Sequence, residues 1–294
     1  MIKNNKRRLA NGLTNALFLA PMVIPFVFTV LIPFAVGVFF SLTDWNGVRY
    51  NKFMGLGNYI TIFTQNDYQY SLFITTVFTV VNMLSVNILA FALALVCSKN
   101  DPVSKICRAA FFIPNLIGGI VLGYVWQFIF NRVFVLVFQP SMLTVPNLAV
   151  LSIVIVSSWQ YAGYIMMIYI TGLQLIPKEV LEAAQIDGAG VFRTMFKIKI
   201  PMIANTTTIC LFLTLVNSFK QFDLNFAITG GAPARLLGSR AVPSTEFLAL
   251  NIYNTAIARN NYALGQSKAV MFFIVLTIIS LTQVWINKKR EIEM

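Results

Sequence analysis

The stretch IPKEVLEAAQIDGAGVFRTMFKIKIP, residues 176–201, is rich in charge and sits between two long uncharged stretches, 133–177 and 200–219. Pro177 stands where a helix can begin, because its missing N–H would be unsatisfied there anyway. Glu179 and Glu182 fall in the first turns, where a negative charge meets the positive helix end. Ala183 and Ala184 favour helix and allow close approach. Gly188 can take positive φ and end that helix. A second helix over about 190–199 puts Phe192, Met195 and Phe196 on one face, and Arg193 with Lys197, four residues apart, on another. The spacing therefore predicts a short helix, a glycine turn and a second short helix, with one face for its own flanks and one free to dock elsewhere.

The flanks decide where this elbow lies. The chain of 294 residues is 57% hydrophobic and only 11% charged, with mean hydropathy +0.74. Soluble domains carry roughly 25% charged residues, so the composition points to an integral membrane protein. Residues 9–43, 68–98, 109–131, 133–177, 200–219 and 269–287 hold no charge at all. A crossing helix needs about 20 apolar residues, and a charge at its centre costs ~2.5–3.5 kcal/mol. Barrel strands would alternate and run only about 10 residues. The predicted fold is all-α: a polytopic membrane helical bundle, one transmembrane domain over 1–294, with six spans near 14–42, 70–98, 107–131, 147–173, 202–228 and 265–287. Gln139, Pro140, Ser141 and Pro146 break the long stretch before the fourth span.

The net charge of +12 would suggest nucleic acid in a soluble protein, but here its distribution matters more. Fourteen of the 22 basic residues fall on one proposed face: Lys3, Lys6, Arg7, Arg8, Lys99, Lys105, Arg108, Lys178, Arg193, Lys197, Lys199, Lys288, Lys289 and Arg290. The positive-inside rule makes that face cytoplasmic, with both termini on it, and no nucleic-acid partner is expected. The uncharged run after the first basic cluster is too long for a secretory signal core and reads as a retained span. Cys97, Cys107 and Cys210 lie in or beside spans, and histidine is absent, so neither a disulfide framework nor a metal site is expected.

The elbow also carries a resemblance. Glu182-Ala183-Ala184, then Gly188, then Ile198 and Pro201, resemble the EAA loop of ABC-importer permeases, with Ile200 where the family pattern has Leu. IDGA at 186–189 looks like the sugar-permease version. GLGNYITIF at 55–63, Ser41 with Thr43, Asp44 and Trp45, the run 108–131, ITGLQLIP at 170–177 and FDLNFAITGGAP at 222–233 resemble other segments of the maltose, raffinose and multiple-sugar permeases. Residues 133–146 are more apolar than that family's pattern. The resemblance implies a type I ABC importer permease in a bacterial cell membrane, carrying a sugar or oligosaccharide. It implies that Glu182, Ala183, Ala184, Gly188, Ile198 and Pro201 couple to an ATPase. It further implies a second homologous permease, a cytoplasmic ATPase dimer and an extracellular or periplasmic sugar-binding protein.

The residues themselves add limits. No phosphate-binding Gly-Lys pair occurs, so ATP and Mg²⁺ are expected on the partner ATPase and no cofactor on this chain. No catalytic residues are expected. Sugar-binding chemistry, aromatic faces with amides and carboxylates, is offered by Trp159, Gln160, Tyr161, Tyr164 and Tyr169 in the fourth span and by Asn217, Lys220, Gln221 and Asp223 in the fifth. Interfacial anchoring or packing accounts equally for the aromatic residues, and a salt bridge for Lys220 with Asp223. Asn82, Asn87 and Asn217 fit helix–helix hydrogen bonds, and Gly119 with Gly123 a small-residue packing stripe, within the chain or to a partner. An importer of glycerol phosphate or another small polar solute, and a secondary transporter, are the alternatives.

Overall fold

In the computed structural model the described residues are Asn15, 17–64, 66–137 and 139–288. The terminal basic clusters, Lys3 to Arg8 and Lys289 with Arg290, lie outside them. The elements in order are α1 (Leu17–Ser41), α2 (Gly57–Thr64), α3 (Asn66–Cys97), α4 (Pro102–Phe112), α5 (Gly119–Leu136) and α6 (Pro146–Gln174). Then come α7 (Lys178–Ile186), α8 (Val191–Met202), α9 (Ala204–Phe219) and α10 (Asp223–Ile228). A hairpin of β1 (Ala234–Leu237) and β2 (Arg240–Pro243), α11 (Leu248–Tyr253) and α12 (Tyr262–Lys288) complete the chain. The helices α1, α3, α5, α6 and the Tyr262–Trp285 part of α12 are each long and apolar enough to cross a membrane; α8 and α9 make a sixth crossing if taken together, bent by 74°. On α1, Leu17, Phe18, Met22 and Phe28 are all exposed. Leaving each in water forgoes roughly 1.5–3 kcal/mol, so this surface belongs in hydrocarbon.

The chain divides into two compact units. The first holds residues up to 64 with 254–271. Two of the quoted sequence stretches meet there. Asn58 donates from Nδ2 to the carbonyls of Ser41 and Thr43 at 2.9 and 2.8 Å, and the Ser41 hydroxyl meets the Tyr59 hydroxyl at 2.6 Å. Ser267 Oγ donates to the same Ser41 carbonyl at 2.8 Å, which ties α12 to the end of α1. Asp44 accepts from the Asn51 and Lys52 amides, both at 2.8 Å, and these donors hold its carboxyl below the usual carboxylate range. Lys268 is fully buried and donates to Thr255 Oγ1 at 2.8 Å.

The second unit, 65–253 with 272–294, is built around α6, whose buried face runs from Ala149 to Gly172. Helices α3 and α9 are tied together by buried amides. Asn82 donates to Ser218 Oγ and Asn87 to Thr214 Oγ1, each at 2.8 Å, while Tyr169 of α6 donates to Asn87 Oδ1 at 2.9 Å. These two asparagines are interhelical hydrogen-bonding groups, as their uncharged surroundings require. At the turn before α4, Asp101 caps the helix by accepting from the Ser104 amide at 2.6 Å, which lowers its pKa.

Two spans differ from the sequence expectation. The third, expected near 107–131 with Pro114 as a kink, is fully interrupted: α4 ends at Phe112, a tight turn runs Ile113–Leu116, Ile117 is extended and α5 starts at Gly119. Pro114 supplies no N–H for the ladder, and Gly118 accepts the extended exit. The fifth, expected over 202–228, stops at Phe219 and restarts at Asp223, with Lys220–Phe222 outside both helices. The long loop after α10 is ordered by Asn225, which donates to the Thr245 carbonyl at 2.6 Å and accepts from the Phe247 amide at 3.2 Å.

Candidate functional site

The two interruptions meet. Gly119, at the restart of the third span, lies against Asp223, at the restart of the fifth: a Cβ placed on Gly119 would sit 2.7 Å from the Asp223 Cβ. One turn on, a Cβ on Gly123 would sit 2.5 Å from the Ala227 Cβ. The glycine stripe therefore packs inside the chain, against α10. The carbonyl freed at Ile117 and the one at the far end of α10 need partners, and α6 and α5 supply them. Gln160 Nε2 donates to the Ile117 carbonyl at 3.0 Å, and Gln127 Nε2 donates to the Ile228 carbonyl at 3.1 Å.

Around this junction opens a polar pocket of about 170 Å³ lined by Gly119, Gln160, Tyr161, Asn217, Lys220, Gln221, Phe222 and Asp223. Six of the sequence candidates, Gln160, Tyr161, Asn217, Lys220, Gln221 and Asp223, share it. Lys220 and Asp223 are exposed, and among the described residues no ion pair joins them. Gln221 is buried, and Tyr161 and Asn217 are half-buried. The set offers amide donors and acceptors, a phenol, one cation and one carboxylate within one small space. That chemistry hydrogen-bonds a neutral, hydroxyl-rich solute.

Trp159 and Tyr164 do not reach the pocket. Successive helix residues diverge by about 100°, so Trp159 turns away from it and meets Trp126 edge-on at 5.7 Å between ring centroids. It lines a separate apolar groove with Leu89, Phe111, Leu151 and Ile155. Tyr164 packs against the core around Met166, Ile170 and Cys210. Gln160, an amide the sequence offers between two aromatic residues of an uncharged helix, lines the pocket and satisfies a broken span at once. Glu246 was missed; it is buried and accepts from Asn251 Nδ2 at 3.3 Å.

The elbow forms as its spacing dictates. Helix α7 begins after Pro177 and ends where Gly188 takes φ +71°. The Gly188 amide donates to Gln185 and the Ala189 amide to Ala184. Glu182, Ala183 and Gly188 are exposed, whereas Ala184 is buried against the chain, so its small side chain serves close packing. Helix α8 is wound more widely from Met195 to Lys199. Phe192 and Phe196 are exposed, Met195 and Ile198 half-buried and Pro201 exposed. Among the described residues, no group of three or more His, Cys, Asp or Glu is placed to hold a metal ion.

Fold and site together define a polytopic helical membrane subunit whose spans break around a polar pocket and whose charged elbow projects beyond them. More particularly, residues 87–292 match the family described as binding-protein-dependent transport system inner membrane component, and the chain belongs to that family of ABC transporter permeases. It is accordingly an inner membrane protein. The chain is 38% identical, over 97% of both sequences, to a probable starch degradation products transport system permease of Thermoanaerobacterium thermosulfurigenes. It is 29% identical, over 93% of this chain and 94% of the relative, to a multiple sugar-binding transport system permease of Streptococcus mutans. A bacterial ABC transporter for import of the acidic polysaccharide alginate shares its fold, with a TM-score of 0.80 at 16% identity over 96% of this chain and 99% of that one.

Proposed function

We propose that this chain lines the translocation path of an ABC importer for a neutral sugar or oligosaccharide, with the pocket at the paired span breaks as its substrate contact. The observation that carries the reading is the convergence of Gln160, Tyr161, Asn217, Lys220, Gln221 and Asp223 on one pocket where two spans unwind. Discontinuous helices are where transporters place their cargo. A phosphorylated cargo fits less well, because Asp223 would oppose the phosphate that Lys220 attracts. A secondary transporter would place ionisable groups along several spans, and membership of the ABC permease family speaks against it.

The elbow faces the cytoplasm, with both termini on that side. Glu182, Ala183 and Gly188 present the docking surface for a separate ATPase dimer, which holds ATP and Mg²⁺, while Ala184, Ile198 and Pro201 brace it. A second homologous permease closes the other side of the path, and a binding protein delivers cargo from outside. The test is uptake of a radiolabelled maltooligosaccharide and of glycerol 3-phosphate by cells carrying the importer. Gln160→Ala with Asn217→Ala lowers sugar uptake at least about tenfold while the complex still purifies intact, as expected for two lost hydrogen bonds of ~1 kcal/mol or more. Unchanged sugar uptake in that double variant, or uptake of glycerol phosphate alone, refutes the assignment.

A further inference from the structure

The charge on the elbow is segregated. Helix α7 and its end carry Glu179, Glu182 and Asp187 against one cation, Lys178, whereas α8 carries Arg193, Lys197 and Lys199 and no acid. Helix α8 is bent 74° from α9, so it does not continue along that span but turns off across its end. Its first turns expose Val191, Phe192 and Phe196, with Phe192 at 76% and Phe196 at 60% exposure, beside the exposed Arg193 and Lys197. Between α7, α8 and the end of α3 lies a cavity of about 380 Å³. Leu95, Leu181, Val191 and Met195 supply apolar wall, and Gln185, Thr194 and Lys199 supply polar groups.

An exposed aromatic edge, three cations with no ion-pair partner among the described residues and a half-apolar cavity next to a crossing helix fit one occupant. We propose that α8 lies in the headgroup layer and that this cavity and its basic rim bind an anionic phospholipid. The phosphate sits at Lys199 and Thr194, with Arg193 and Lys197 adding attraction, and an acyl chain lies along Leu95, Leu181 and Val191. The acidic half of the elbow is repelled by the same surface and stays free for docking. Interfacial helices bury aromatic side chains and present basic ones in this manner. The inference rests on the cytoplasmic placement of the elbow proposed above.

The test uses the assembled importer, purified in neutral detergent and titrated with phosphatidylglycerol or phosphatidylcholine of equal chain length, with bound lipid counted by native mass spectrometry. A cation near an anionic surface contributes about fivefold, so three give a preference on the order of 100-fold for phosphatidylglycerol. Arg193→Gln with Lys197→Gln and Lys199→Gln reduces it to about fivefold or less. The charge-conserving set Arg193→Lys, Lys197→Arg and Lys199→Arg retains it, and so does the remote pair Arg235→Gln with Arg240→Gln. An undiminished preference in the triple glutamine variant overturns the site. So does a preference seen in the isolated chain and lost in the complex, which assigns α8 to the ATPase. Arg193→Cys is expected to react with an impermeant maleimide only in permeabilised cells. Labelling from outside refutes the cytoplasmic placement itself, whatever the lipid result.

Discussion

The paired breaks depend on how closely α5 and α10 approach, and Gly119 tests this against its own neighbour. Gly119→Ala puts a methyl carbon 2.7 Å from the Asp223 Cβ and 3.1 Å from its Oδ2. Ordinary van der Waals contact begins near 3.4 Å, so α10 or the start of α5 must shift by about 0.7 Å. Overpacking of this size costs about 1–3 kcal/mol, or on the order of 5–150-fold in the population that keeps the native junction. Gly118→Ala adds the same methyl to open space at a φ of −58° that alanine adopts freely. Transport by the reconstituted importer is therefore expected to fall at least fivefold in Gly119→Ala and to stay within twofold of wild type in Gly118→Ala. Asp223 is displaced directly, so the loss appears in the concentration dependence on sugar as well as in the maximal rate. Equal transport by the two variants refutes the claim that the junction forms the pocket.

Gly123→Ala should lower the melting temperature of the detergent-solubilised protein, since its methyl meets Ala227 at 2.5 Å, and adding Ala227→Gly should restore it. Failure of that rescue would mean the stripe packs elsewhere. Gly188→Val forces a β-branched side chain to φ +71°, at a cost of about 1–2 kcal/mol, with nothing within 4 Å to clash; ATP-driven uptake should drop while the protein still folds. For Asp44 the folded pKa is depressed, so its contribution is present above the ordinary carboxylate value of 3.8 and is lost as pH falls through the lower folded value. Limited proteolysis with an acid protease should accordingly find 46–52 clipped only at the acid end of a pH series, and at every pH in Asp44→Ala.

What the sequence made legible follows from which physics is local. Charge is costly inside a span, so the crossings could be read from where charge is missing, although α5 carries Arg132 and α12 the buried Lys268. The elbow was readable because Pro177, the two glutamates and Gly188 each act within a few residues of themselves. The span breaks were not, because Pro114 in a membrane helix permits either a kink or a full interruption. The outcome depends on whether a distant group, here Gln160, reaches the freed carbonyl of Ile117. The same dependence on tertiary partners hid the division between Tyr161, which faces the pocket, and Trp159, which faces Trp126. A period of 3.6 says that the two diverge; it does not say which of them the core takes. Gly119 and Gly123 were visible as a stripe, but the opposing Ala227 acquires its meaning only once α10 is known to be a separate helix.

The separation of α9 from α10 has a mechanical consequence. Helix α9 has 16 residues, about 24 Å at 1.5 Å per residue, and runs from the bend at Ile203 to the break at Lys220. One end is therefore continuous with the elbow and the other with the pocket. Were the fifth span unbroken, a load on the elbow would carry α10 and the outer loop with it. As built, Lys220–Phe222 can absorb the displacement, and α10 stays fixed to α5 by the glycine contacts and by Gln127 on the Ile228 carbonyl. Helix α9 does not move alone either, because Asn82 and Asn87 bind it to α3 by hydrogen bonds buried where no water replaces them. Helix α3 is itself bound to α6 through Tyr169, so on the coupling proposed above a load on the elbow would reach Asn217 and Lys220 through α9, with Asp223 set apart on α10 by the break.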